Sequence, residues 1–139
     1  MTTLAANQAR EYQLGDEGRH PVVAADIIYE GAAVGKNSAV ARPLQAGDVF
    51  LGFAQEKADN SAGAAGAVKV HTLKRGRIKL AVTGVTGAGD VGSAVYASDD
   101  ATFTLSSTGN SLIGVIAEHV SSTTAIVAFD VDGRLLAAI

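Results

Sequence analysis

The stretch Gly92–Val120 sets the tightest limit on what this chain can fold into. Two short runs, Ala94–Ala97 and Thr102–Leu105, flank the polar break Ser98–Asp100. A second polar break, Ser106–Ser111, leads into the apolar run Leu112–Val120, which carries Gly114 in its interior. Alternating β-branched and aromatic residues bounded by Ser, Asp, Asn and Gly are the chemistry of strands and hairpins. No part of the stretch has helical spacing.

The same plan occurs earlier in the chain. Displaced by 62 positions, Ala32 falls on Ala94, Ala39 on Ala101, Gly47 on Gly109, Gly52 on Gly114 and Glu56 on Glu118. Turn formers match too, with Asn37 on Asp99 and Asp48 on Asn110. The run Val49-Phe50-Leu51-Gly52-Phe53 aligns with Ser111-Leu112-Ile113-Gly114-Val115. The pattern predicts two related β-units, about 22–83 and 92–131, packed on each other.

The other segments read in the same terms. Residues 1–20 are polar and small apart from a few larger side chains, and are either a frayed terminus or an extended arm anchored by Tyr12 and Leu14. His20-Pro21 starts an extended segment, and Val22–Glu30 is strand-like. Gly31–Ser38, with two glycines and Asn37, predicts a turn. Ala39–Arg42 is a short strand closed by Pro43, Gln45–Asp48 a turn, and Val49–Glu56 a long strand with a bulge or close backbone approach at Gly52. Lys57–Gly66 predicts a mobile exposed loop. Ala67–Leu73 and Arg77–Thr83 alternate around Lys74-Arg75-Gly76 as a two-faced hairpin with one packed and one basic side. A glycine loop, Gly84–Gly92, separates the units. Thr124–Val131 is the last strand, followed by an apolar tail from Arg134 that could be helical, extended or docked on a partner.

Three pieces of the sequence resemble a known family: Gly92-Ser93-Ala94-Val95-Tyr96, Thr102-Phe103-Thr104-Leu105 running into Ser106–Asn110, and Ile113-Gly114-Val115-Ile116-Ala117. Together and in this order they resemble the capsid cement, or head decoration, proteins of tailed bacteriophages, over roughly Val22 to Val131. The resemblance carries no catalytic signature. It implies a subunit on the outer capsid surface, at three-fold or quasi-three-fold positions, commonly trimeric, and bridging neighbouring coat proteins.

Composition bounds the alternatives. A chain of 139 residues fits one domain. A net charge of −3 does not steer the whole molecule toward nucleic acid. There are no cysteines, hence no disulfides or thiolate sites. No apolar run approaches the roughly 18 residues of a membrane span, and Met1–Arg10 lacks a signal-peptide pattern, so synthesis in the host cytoplasm is expected. Hydrophobic residues make up 47% but aromatics only 5%. Apolar burial is worth about 25 cal/mol per Å², so a core of Ala and Gly yields little per residue. Such a body gains from burial against other chains.

The possible chemical sites are each thin. Gly84–Gly89 follows a strand, but lacks Gly-Lys-Ser/Thr and opens no helix for a phosphate. His20, His71 and His119 have no ligand spacing. Asp130-Val131-Asp132-Gly133 begins like a calcium loop without its closing Glu. Asp99-Asp100 would serve a hydrolase only with one carboxyl buried. Nucleophilic motifs are missing. The basic cluster Lys74–Lys79 reads as a solvated turn, a protein contact or a nucleic-acid patch.

The expectation is therefore an all-β protein: a compact antiparallel sandwich or barrel of about eight to ten short strands, with residues 1–20 as an arm and 21–139 as one β-domain. The resemblance makes it a non-enzymatic capsid cement protein with no cofactor, whose partners are the major coat protein and itself, not nucleic acid or membrane. Contact candidates, from composition, are Tyr12 and Leu14, Lys74, Arg75 and Arg77, and Leu135 and Leu136. The alternative is a carbohydrate- or host-binding module on the virion, which would want exposed Trp or Tyr; the chain has no Trp and only Tyr12, Tyr29 and Tyr96.

Overall fold

A computed structural model of the chain describes residues 5–11, 13 and 15–133. The protein is all-β. Its first seven strands are β1 (Glu17–Pro21), β2 (Asp26–Ile28), β3 (Ala33–Asn37), β4 (Val40–Pro43), β5 (Val49–Ala54), β6 (Ala58–Asn60) and β7 (Lys69–Leu73). Five more follow: β8 (Arg75–Thr83), β9 (Ala94–Ala97), β10 (Phe103–Thr104), β11 (Ser111–Ser121) and β12 (Thr124–Asp130). One 3₁₀ turn, Ala88–Asp90, lies between β8 and β9. Among the described residues twelve strands thus stand where about eight to ten were expected.

The strands form two bodies that share one plan. The N-terminal sheet runs β1-β7-β5-β3-β4. The C-terminal barrel runs β8-β12-β11-β9-β10, and β10 returns to β8 in parallel to close it. In the N-terminal sheet the corresponding closure is one parallel bridge, Val22 to Ala41, next to a 2.9 Å hydrogen bond from the Val23 amide to the Ala41 carbonyl. Register agrees as well as order. Val34 pairs Gly52 and Gly35 pairs Phe50, leaving Leu51 as a bulge; Val95 pairs Gly114 and Tyr96 pairs Leu112, leaving Ile113 as a bulge.

Both bulges need glycine. A Cβ at Gly52 would strike the carbonyl oxygen of Leu73, and one at Gly114 the carbonyl oxygen of Ala128. The next strand comes too close at each point for any side chain, as bulges at sharp bends require. Gly52 also has φ +117, where L side chains are strained.

The cores correspond position by position. Inside the N-terminal sheet lie Val22, Val34, Ala41, Leu51, Ala54 and Val70. Their register equivalents in the barrel are Val82, Val95, Phe103, Ile113, Ile116 and Ala125, all buried. Ala41 and Ala54 are smaller than Phe103 and Ile116. The space they leave is occupied by Ile28 and Ala58 from the two-stranded sheet β2-β6, which belong to the same buried cluster. A third region joins the bodies. Phe50 and Phe53 of β5 meet Phe129 of β12 at centroid separations of 6.3 and 5.0 Å, edge to face, and Phe53 meets Phe103 at 6.1 Å. Such pairs add to their burial, so the two bodies share one apolar centre.

Four local expectations are corrected. Gly31–Ser38 is not a turn: β3 occupies Ala33–Asn37, and Gly35 leaves its Cβ space to the Asp48 side chain. Lys57–Gly66 is not simply an exposed loop. It contains β6, and buried Asn60 donates to the carbonyls of Val22 (3.3 Å), Val23 (3.0 Å) and Ala64 (2.9 Å), holding the loop on the end of β1. Residues 17–20 do not belong to the arm expected over 1–20, because Glu17–Pro21 is β1, paired along its length with β7. Finally, β7 and β8 form no hairpin. β7 pairs β1 and β5, while β8 pairs β12 and β10, so Arg75–Thr83 belongs to the second body, where the sequence pattern had placed it in the first.

Candidate functional site

Lys74 is the whole connection between the two bodies, and the basic cluster sits on this crossover instead of on a hairpin tip. Its cations face carboxylates. Lys74 Nζ lies 2.8 Å from Asp132 Oδ2, Arg75 Nε donates to Asp16 Oδ1 at 2.6 Å, and Arg77 Nη1 lies 3.8 Å from Glu118 Oε2. The hydrogen bond with Asp16, then its charge, raises the Arg75 guanidinium above its usual range. Alternating residues of β8 do face solvent as a basic row, but Glu118 and Asp16 interrupt its field. Nucleic-acid patches depend on uncompensated positive charge; at Arg75 and Arg77 a carboxylate stands against each cation of this row.

Tyr12, Leu14, Leu135 and Leu136 lie outside the described residues. Of the contact candidates, Lys74, Arg75 and Arg77 are therefore the ones the structure places, and it brings them to one junction.

The glycine loop after β8 carries its own anion. The Asp90 carboxylate accepts hydrogen bonds from the amides of Thr86 (2.7 Å) and Gly87 (3.2 Å) and from the Thr86 hydroxyl (3.4 Å). Those amides are the groups that would hold a phosphate. The same hydrogen bonds, Thr86 first, hold the Asp90 carboxyl below the usual range. The loop is a turn closed on itself.

The carboxylate pair is split in the same way. Exposed Asp99 accepts from the Ala101 amide at 2.9 Å and the Thr102 hydroxyl at 3.1 Å, a local turn that lowers its carboxyl. Half-buried Asp100 is raised, chiefly by burial and then by the Asp99 charge. It lines an open cleft of about 300 Å³ with Tyr29, Gly31 and Phe103. Asp130 accepts from the Gly133 amide at 2.9 Å, so the calcium-like start is a helical turn.

The histidines are divided between the bodies. His20 and His71 share an open cleft with Glu17 and Lys74, where burial and then the Lys74 charge lower the His20 imidazole. His119 Nε2, in the barrel, lies 3.0 Å from the Ser122 carbonyl. Among the described residues no group of three His, Asp or Glu is arranged to hold a metal ion.

One surface was not singled out by the sequence reading. Across β8, β12, β11 and β9 the register places Arg77, Ala128, Val115 and Ala94 in one row. Val115 is 44% exposed, and with Leu112, Gly114, Ala128 and Phe129 it lines an apolar groove of about 330 Å³. The signal was in the 62-residue repeat, which sets Leu112 and Val115 on Phe50 and Phe53.

No family model, no curated protein and no solved structure matches this chain.

Proposed function

We propose that this protein is a capsid cement subunit, a structural protein of the virion that binds the outside of a tailed-phage head and ties neighbouring coat proteins together. It works without chemistry, as a homotrimer or similar assembly, by adding contacts at many equivalent places on the shell. Each contact of about 800 Å² per partner is moderate, and simultaneous engagement multiplies them.

One observation carries this reading. Two β-bodies locked through a shared phenylalanine cluster each expose large apolar side chains: Tyr29 and Val49 on the first, Val115 and Val120 on the second. A rigid block with exposed apolar side chains on both of its bodies suits a subunit that touches more than one neighbour. The charged and glycine-rich features that would attract a small anion are instead satisfied internally, as Asp90 illustrates.

The test is co-sedimentation of the purified chain with expanded, undecorated heads, followed by heating to measure DNA release. Saturable binding with a raised release temperature is expected. Failure to bind overturns the reading, and so does turnover of an ester, glycoside or nucleotide by the pure protein. The carbohydrate-binding alternative would use Tyr29, 58% exposed, but Lys57 Nζ stands 5.4 Å from that ring's centroid and competes for its face. Glycan binding abolished by Tyr29→Ala would put that alternative in its place.

A further inference from the structure

We propose that the end of the first body lined by His20 and Lys74 is an acid-triggered latch: a proton taken up by the His20 imidazole loosens β1 from β7 while the barrel stays closed. The latch is independent of what the protein binds.

The two bodies differ sharply at this place. Val22 and Val82 are equivalent, since each pairs in parallel with one of two residues 62 positions apart, Ala41 and Phe103. Every second residue of a strand keeps to the same face. Moving back along β8 from Val82, the barrel has Leu80 and Ile78, which pair Ala125 and Val127 and pack on its buried core. Moving back along β1 from Val22, the first body has His20 and Gly18, which pair Val70 and Thr72. Lys74 follows where the barrel has buried Phe129. The same inner end is thus closed by Leu, Ile, Val and Phe in one body and by His, Gly, Thr and Lys in the other.

The polar groups are crowded there. The point where a Gly18 Cβ would lie is 3.0 Å from His20 Nε2, 3.1 Å from Thr72 Oγ1 and 3.2 Å from Lys74 Cδ. Val70 and Thr72 are fully buried, so a charge on the ring would sit against dehydrated neighbours and beside a second cation. Burial first, and then the Lys74 charge, lower the imidazole. The nearby carboxylates stand against other cations: Asp132 against Lys74 at 2.8 Å, Asp16 against Arg75 at 2.6 Å and Glu17 against His71 at 3.7 Å. Arg19 of β1 and Lys69 of β7 alternate to the outer face, and Arg42 of β4 is held by Asp48. Register carries Lys36 of β3 to the same end as His20, where it is exposed.

β1 also has less to hold it than its equivalent. It pairs β7 at five positions and meets β4 through the one bridge at Val22, whereas β8 pairs β12 at seven positions and β10 at two. Local opening draws on such lightly held strands. An imidazole lowered in the folded state favours the closed latch fully above its free value of about 6.5. As pH falls through that value toward the folded one, the opened strand takes up the proton first, and the balance moves to the open form.

Amide hydrogen exchange on the full native chain, read by NMR at about pH 7.5 and about pH 5.5 and corrected for intrinsic rates, tests this. Imidazoles are the side chains that ordinarily titrate across that step. Protection of β1 should fall more than about twofold relative to β12, with about tenfold as the ceiling for a free value near 6.5. His20→Leu, which supplies the side chain that the barrel has at this position, should hold β1 protection constant, and so should the polar variant His20→Gln. His71→Gln should leave the native response in place. Unchanged β1 protection in the native chain overturns the proposal, and so does equal loosening of β1 and β12. A response that survives in whichever His20 variant folds, or one that His71→Gln removes, overturns it as well.

Discussion

The N-terminal sheet and the C-terminal barrel have one strand order, one bulge and one bulge glycine, yet they spend the same outer row differently. Phe53 is sealed under Phe129, and its equivalent Val115 faces solvent. The lesson is that a β-plan fixes where side chains point, while side-chain size and what stands opposite decide whether a position becomes core or surface. The interiors make the same point. Ala41 and Ala54 need Ile28 and Ala58 to fill the first body, where Phe103 and Ile116 fill the second from its own strands.

The comparison breaks most sharply at its most unequal pair. Phe53→Ala should cost about 4 kcal/mol, the range for an aromatic removed from a packed centre, because it opens the junction against Phe50, Phe103 and Phe129. Val115→Ala, at the equivalent position, should cost about 0.5 kcal/mol or less. Urea unfolding of the two variants measures the difference, and equal losses would mean that the rows are not used differently.

The bulges come next. Gly52→Ala and Gly114→Ala each drive a methyl group into a neighbouring carbonyl, and Gly52 adds backbone strain at φ +117. Losses of about 3 and about 2 kcal/mol are expected. A neutral result at Gly114 would show that the barrel relaxes where the sheet does not.

At one repeat position acid sensitivity should belong to the first body alone. Asp48 accepts two hydrogen bonds from Arg42, at 2.9 and 2.8 Å, and its repeat equivalent is uncharged Asn110, which donates to the Ser106 carbonyl at 3.0 Å. Burial pushes the Asp48 carboxyl up, but the Arg42 hydrogen bonds, the Gln45 amide and the Arg42 charge together bring it below the usual range. A depressed carboxyl stabilises fully above its unfolded value of about 4, and that stability is lost as pH falls through the lower folded value. Asp48→Asn should therefore cost about 2 kcal/mol at pH 6, with the gap to the native chain closing toward pH 2 in denaturant titrations.

The smallest effect concerns the junction. Lys74 occupies the register position of Phe129 but pairs with Asp132 at the surface. Lys74→Ala should change stability by about 0.5 kcal/mol, and by less at high salt, as thermal melts in the two buffers would show.

Much of this was legible in the residues and some could not be. Pro43 ends β4, Gln45–Asp48 turns, Leu112–Val120 falls on β11, and Thr124–Val131 falls on β12 but for its last residue, because turn chemistry and period-two patterns are local. Partner choice is not local. β7 and β8 have the alternation of a hairpin and are separated by one residue, but nothing in alternation says which strand lies alongside. Gly35 looked like a turn residue because the carboxylate that takes its Cβ space lies thirteen positions away, at Asp48. Asn60 looked like a loop residue because its three carbonyl partners become visible only once the chain has folded. At the basic cluster, the cations were readable and the carboxylates that answer them were not, since Asp16 and Glu118 come from distant strands and segments.

The order of strands has a consequence during synthesis. Every strand of the first body precedes every strand of the second, so it can pair while the ribosome is still making the rest. Its aromatic seat, however, waits for Phe129, near the end of the last strand. Until that residue emerges the cover over Phe50 and Phe53 is incomplete, with only Phe103 of the barrel's two rings in place, and a message truncated anywhere before it would yield a product with a greasy scar, a target for chaperones and proteases.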